Sequence, residues 1–99
     1  MKVLLFGADG QVGWELQRSL LPLGDVQACT RDEANLEDPK ELRRLIRISH
    51  PDVIVNAAAY TAVDKAESEQ RTAYRVNAES VGVIAEEVKR LNGLFVHYS

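Results

Sequence analysis

Val3-Leu4-Leu5-Phe6-Gly7-Ala8-Asp9-Gly10-Gln11-Val12-Gly13 is the stretch on which the fold turns. Four consecutive apolar residues suit a strand buried on both faces, where no alternation with polar residues is needed. Glycines follow at 7, 10 and 13, and a helical pattern then sets Val12, Leu16, Leu20 and Leu21 on one side. A G-x-x-G-x-x-G loop between a strand and a helix has a physical reading. Its first glycine permits the tight turn, its second lets a pyrophosphate approach the backbone, and its third lets helix and strand pack closely. The N–H groups and dipole of the helix then face the phosphates. Gly7, Gly10 and Gly13 are therefore candidate dinucleotide-binding positions. A carboxylate beside a pyrophosphate would repel it, so the side chain of Asp9 is expected to turn away or to bond loop N–H groups. Trp14 is expected to pack against the sheet or a neighbouring loop.

Downstream, the same alternation repeats. Pro22, Gly24 and Asp25 stop the first helix, and Asp25 to Cys29 reads as a second, weaker strand. Thr30 to Glu37 is a polar loop. Asp38 is placed to cap a helix that has Pro39 at its first position and Leu42, Leu45 and Ile46 as its buried stripe. His50-Pro51-Asp52 is a break, and Val53 to Val55 is a third buried strand. A long helix follows, with Ala73, Val76, Val81, Ile84, Val88 and Leu91 along one face, closed by Asn92-Gly93. Leu94 to Tyr98 is the fourth strand. The order β-α-β-α-β-α-β calls for an α/β fold: a Rossmann-type parallel sheet with helices on both faces, here its first four strands. The six-strand pattern of that fold predicts the order 3-2-1-4. A strand followed so soon by the last residue, Ser99, is read as the first half of a truncated cofactor domain.

Composition narrows the function classes. Of 99 residues, 45% are hydrophobic and 27% charged, which is a globular balance and not that of a disordered tail. Twelve basic residues against fifteen acidic ones leave a net charge of -3, which argues against a nucleic-acid partner. Cys29 is the one cysteine, so neither an internal disulfide nor a cysteine-built zinc site is available. Its apolar runs fall far short of the ~20 residues that span a bilayer. The N-terminal run is cut by Gly7, Asp9 and Gly10 before it reaches the ~7–15 apolar residues of a signal peptide. A cytoplasmic protein with no membrane partner is expected.

The end of the second strand selects the adenosine ribose. An acidic residue there hydrogen-bonds the 2′-hydroxyl of NAD. Here Cys29 is followed by Thr30, which is neutral, and Arg31, which suits a 2′-phosphate; both favour NADPH. Asp32 would serve a hydroxyl if the register slipped by two, so NADH stays open.

Three stretches narrow the class further: Gly7 to Leu16, Pro51 to Glu67 and Val96 to Ser99. Together they resemble the dTDP-4-dehydrorhamnose reductases, a branch of the extended short-chain dehydrogenase/reductases. The likeness runs over the whole chain and is weakest from Val26 to Arg47. It implies NAD(P)H-dependent reduction of the C4 ketone of dTDP-4-dehydro-L-rhamnose, a step in building cell-wall and lipopolysaccharide sugars. By motif, Gly10, Gln11 and Val12 would contact the pyrophosphate. Asn35 and Leu36 match an acidic–apolar pair beside the adenine. Ala57, Ala58, Ala59, Tyr60 and Thr61 would lie along the ribose and phosphates, where small residues let backbone come close. Val63 would border the sugar nucleotide. The family likeness also implies a dTDP-sugar partner and a full-length homodimer in which Mg²⁺ takes part.

Other residues have structural readings. Asp64, Lys65 and Glu67 suit a solvated helix start. Asn77 is expected to brace backbone near the fourth strand. His50 reads as a loop residue, and His97 as a satisfied core histidine.

The catalytic chemistry of this family rests on a tyrosine acid and a lysine spaced Y-x-x-x-K, with a neighbouring hydroxyl. No such pair occurs here, since Tyr60 is followed four residues on by Asp64 and Tyr74 by Ala78. Ser99 matches the serine before that hydroxyl. The resemblance therefore places catalysis, and the substrate domain, beyond Ser99, and the 99 residues are expected to be inactive alone. Two alternatives stay open. One is another sugar-nucleotide epimerase or dehydratase. The other is a non-catalytic regulator on the same scaffold, like the methionine adenosyltransferase β subunit.

Overall fold

The computed structural model describes residues 1–30, 32–35, 38–57 and 70–97, with side chains in the last span from Ala78 onward. Its elements alternate as the apolar pattern requires. They are β1 (Lys2–Phe6), α1 (Gln11–Leu20), β2 (Asp25–Cys29), α2 (Pro39–Ser49), β3 (Val53–Asn56), α3 (Gln70–Leu91) and β4 (Leu94–His97). A short 3₁₀ turn at Leu21–Leu23 ends α1. Asp38 caps α2 by accepting from the Glu41 N–H at 3.3 Å, and Pro39 opens it. His50 closes α2 in the left-handed region, its N–H donating to the Ile46 carbonyl at 3.0 Å.

All strand pairs are parallel, and the order across the sheet is β2-β1-β3-β4. This corrects the expected 3-2-1-4. That order would set the third strand outside the second, whereas β3 lies directly against β1, Leu4 facing Ile54 and Leu5 facing Val55. The reason is in side-chain burial. In β2, Asp25 and Gln27 are exposed, a pattern tolerable only at an edge. β1 and β3 carry consecutive buried residues and need cover on both faces, which only the centre of the sheet provides. The second crossover therefore returns the chain past β1 to its far side.

That reversal puts helices on both faces, because right-handed crossovers running in opposite directions lie on opposite sides of a sheet. On one face Leu4, Phe6, Cys29 and Ile54 meet Leu42 and Ile46 of α2 and Ile84 and Val88 of α3. On the other, Val3, Leu5 and Val55 meet Val12, Leu16 and Leu20 of α1. Trp14 does not pack on the sheet as expected. Its position lies away from the Val12–Leu16–Leu20 stripe, so the ring is 54% exposed, with the Arg18 guanidinium 5.7 Å from its centroid.

Between α2 and α3 lies a buried carboxylate. Glu87, 2% exposed, accepts from Arg47 Nε at 2.8 Å and Arg43 Nη1 at 2.9 Å, with Arg90 at 3.3 Å. The hydrogen bond from Arg47 and the surrounding guanidinium charges hold its carboxyl below the usual carboxylate range, against the opposing effect of burial.

A candidate dinucleotide site at the sheet reversal

In open α/β sheets, ligands bind outside the carboxyl ends of the strands where the chain reverses direction. Here that place lies between β1 and β3, and the glycine loop leaves β1 into it. Gly7 has φ +78°, a conformation that favours glycine. Its carbonyl accepts from the Gly10 N–H at 3.1 Å, closing the turn. Gly10 is the N-cap of α1 and supplies no side-chain cap; the first intrahelical bond runs from the Trp14 N–H to its carbonyl at 2.8 Å. The N–H groups of Gln11, Val12 and Gly13 thus begin the helix without intrahelical partners, as helix geometry dictates. Gly13 shows why the third glycine is needed: a Cβ there would lie 1.9 Å from the Gly7 oxygen and 2.9 Å from the Ala8 Cα. A pyrophosphate fits this loop for the same reasons, since the backbone is bare and the uncapped helix start presents donors and a positive dipole. Asp9 is exposed at the tip of the loop.

Two backbone bonds tie the neighbouring strand ends to this loop. Ala8 donates to the Cys29 carbonyl at 3.0 Å, and Ala57 to the Phe6 carbonyl at 3.0 Å. They bring Thr30, just past β2, and Ala57, just past β3, to the same end of the sheet as Gly7, Gly10, Gln11, Val12 and Gly13. Ala57 is buried. Asn35 lies exposed further along the β2–α2 loop, its carbonyl accepting from the Asp38 N–H at 3.0 Å. A cleft lined by Glu33, Asn35, Glu41, Arg44, Leu45 and Ile48 borders that loop on the outer side of α2. Arg31, Leu36, Ala58, Ala59, Tyr60, Thr61 and Val63 lie outside the described residues, as do Asp64, Lys65, Glu67 and the Asn77 side chain.

Several positioning residues carry no motif in the sequence. Gln17 reaches back from α1, its Nε2 donating to the Ala8 carbonyl at 3.1 Å and bracing the loop from behind. Asn56, fully buried at the end of β3, has its Nδ2 3.3 Å from His97 Nδ1. His97 has the partner expected of it but is exposed at the end of β4, which corrects its reading as a core residue. At the end of β2, the Glu33 carboxylate turns back, Oε1 accepting from the Thr30 N–H at 3.2 Å and the Thr30 hydroxyl at 3.1 Å. Burial, with the Glu33 charge adding to it, pushes the Cys29 thiol up from 9.0 to about 11. Among the described residues, no group of three or more His, Cys, Asp or Glu stands where it could hold a metal ion. None of their helices is long and apolar enough to cross a membrane.

Comparison with known proteins identifies the family and the fold. A family model described as the RmlD substrate binding domain matches residues 1–99. The dTDP-4-dehydrorhamnose reductase of Burkholderia thailandensis is 60% identical over 99 residues, which are all of this chain and 33% of that protein. The crystal structure of a hypothetical dTDP-4-dehydrorhamnose reductase from Sulfolobus tokodaii superposes with a TM-score of 0.84 at 38% identity, covering 98% of this chain and 38% of that one. The Bacillus anthracis dTDP-4-dehydrorhamnose reductase, solved in complex with NADP, gives 0.81 at 28% identity, covering 95% and 34%. The chain spans about a third of the length of the curated relatives it matches.

Proposed function

The chain belongs to the RmlD substrate binding domain family, and from that premise we propose that it forms the N-terminal, dinucleotide-holding part of an NAD(P)H-dependent reductase acting on the C4 ketone of dTDP-4-dehydro-L-rhamnose. The observation that carries this reading is the glycine loop at the sheet reversal, with Gly13 pressed on the Gly7 carbonyl and α1 opening without a side-chain cap. The relative solved with NADP supports NADPH as the donor.

Each residue then has a task. The N–H groups of Gln11 and Val12 donate to the pyrophosphate, and the dipole of α1 offsets its charge. Gly10 keeps side-chain atoms away from the phosphates. Thr30 and Arg31 face the adenosine ribose, Asn35 and Leu36 the adenine. Ala57 to Thr61 pass along the ribose and phosphates, and Val63 borders the sugar nucleotide. A dinucleotide held by these residues would supply the hydride for the ketone carbon. The proton for the developing alkoxide comes from a tyrosine–lysine pair that these 99 residues do not contain. The whole protein is a cytoplasmic enzyme of dTDP-rhamnose synthesis and a homodimer in which Mg²⁺ takes part.

A chimera tests the activity. Residues 1–99 replace the matching third of the Burkholderia relative, and oxidation of NADPH is followed with dTDP-4-dehydrorhamnose present. Turnover that depends on the sugar nucleotide is expected, and Gly13→Ala in the chimera abolishes it. A folded chimera that binds NADPH yet never turns over contradicts the substrate assignment. The 99-residue chain assayed alone gives no turnover above background.

A further inference from the structure

We propose that Glu33 sets the cofactor choice of this site: held against Thr30, its carboxylate stands where β2 meets the adenosine ribose, accepts from the 2′-hydroxyl of NADH and opposes the 2′-phosphate of NADPH. The inference rests on the dinucleotide reading above and deepens it. In a βαβ nucleotide site the side chain at the end of β2 meets the ribose, and a carboxylate there favours a hydroxyl over a phosphate. The residue at that position is Thr30, which is neutral, so its neighbours in sequence point to a phosphate-accepting site. The folded loop differs. Thr30 and Glu33 close a turn on each other: the Thr30 carbonyl accepts from the Glu33 N–H at 3.1 Å and the Ala34 N–H at 2.9 Å. The Glu33 carboxylate takes both the N–H and the hydroxyl of Thr30 in return.

A negative charge is thereby fixed about one hydrogen bond from the residue that follows β2. The bond from Ala8 to the Cys29 carbonyl holds that strand end against the glycine loop, so the charge and the phosphate cradle belong to one site. A second group registers the same field, since the Glu33 charge helps to raise the buried Cys29 thiol. A 2′-phosphate entering here meets a like charge, whereas a 2′-hydroxyl finds an acceptor already in place.

Glu33→Gln tests the role directly, because the amide oxygen still accepts from Thr30 and the loop keeps its turn while the charge is lost. Dissociation constants of the 99-residue chain for NADH and NADPH are measured by calorimetry at matched salt. The ratio of the two constants is expected to move toward NADPH by about five-fold or more in the variant. Raising the salt concentration weakens NADPH relative to NADH less in the unaltered chain than in the variant, because screening there also relieves the repulsion. Binding of both cofactors with a ratio unchanged within about two-fold in the variant, and insensitive to salt beyond the general loss of phosphate affinity shown by Glu33→Gln, overturns the role of Glu33 alone. Failure of the unaltered chain to bind either cofactor brings down the dinucleotide reading and this inference with it.

Discussion

Gly13 is the residue whose replacement is least tolerable. Its missing Cβ is the space in which the Gly7 carbonyl lies, and backbone on both sides leaves no flexible neighbour to yield. Gly13→Ala is expected to cost about 1–3 kcal/mol or more through forced displacement of α1 from β1, read as a lower urea midpoint with an unchanged slope. Cys29 makes a second prediction. Its folded value is raised, from 9.0 to about 11, so the thiol keeps its proton in the folded chain while the unfolded chain gives it up. The contribution to stability is complete below about pH 9 and is lost as pH rises through about 11. Alkylation at pH 8 should accordingly be slow in the folded chain and fast in urea, and Cys29→Ser should flatten the alkaline loss of stability. The three glycines and their roles are legible in the sequence because their spacing is local. Gln17 bracing Ala8 and Glu33 reaching back to Thr30 are less so, since a hydrogen bond between side chain and loop depends on how the chain turns.

At the level of elements, α2 and α3 are joined by apolar packing and by Glu87. Both arginines of α2 that reach it, Arg43 and Arg47, sit one turn apart and converge on one carboxylate. Glu87→Gln keeps the shape and removes the charge. It is expected to lower Tm by roughly 4–8 °C, the shift that a loss on the order of 1 kcal/mol produces in a domain of this size. The pH dependence has a definite sign. Because the folded carboxyl titrates below its ordinary 4.5, the stabilisation is present above that value and is lost as pH falls through the folded value. Acid unfolding followed by circular dichroism should therefore begin at a higher pH for the unaltered chain relative to its own neutral stability than for Glu87→Gln. The elements themselves are legible in the apolar pattern, down to Asp38 and Pro39 at the start of α2. Their partner choice is less so. The polar Gln27 and Asp25 mark β2 as an edge strand, which is the place that leaves β1 free to pair with β3.

Over the whole molecule, the two sheet edges differ. Among the described residues, β2 ends the sheet on one side with polar side chains, but β4 ends it on the other with Leu94 60% and Val96 36% exposed. An apolar edge strand with unpaired backbone groups is a template for another chain. The 99-residue chain is expected to self-associate, its sedimentation coefficient rising with concentration, and Val96→Lys is expected to suppress the rise; concentration-independent sedimentation as a monomer would count against this. The His97 misreading has the same origin, because a strand pattern reports apolar residues and not whether a neighbouring strand covers them. The β-α alternation, the helices on both faces and the position of the cradle are all readable from periodicity and glycine spacing. The exposure of the β4 edge depends on long-range pairing that no local window carries.

The central claim is that a dinucleotide lies with its pyrophosphate on the start of α1, at the reversal between β1 and β3. Amide chemical shifts of the ¹⁵N-labelled 99-residue chain, followed during titration with NADPH, test it residue by residue. The predicted result is a saturable change centred on the amides of Gly7 to Gly13, Thr30, Arg31, Asn35, Leu36 and Ala57 to Thr61, absent from Gly13→Ala. Shifts centred on β4 or on the outer side of α2, or no saturable shift at all, would contradict it.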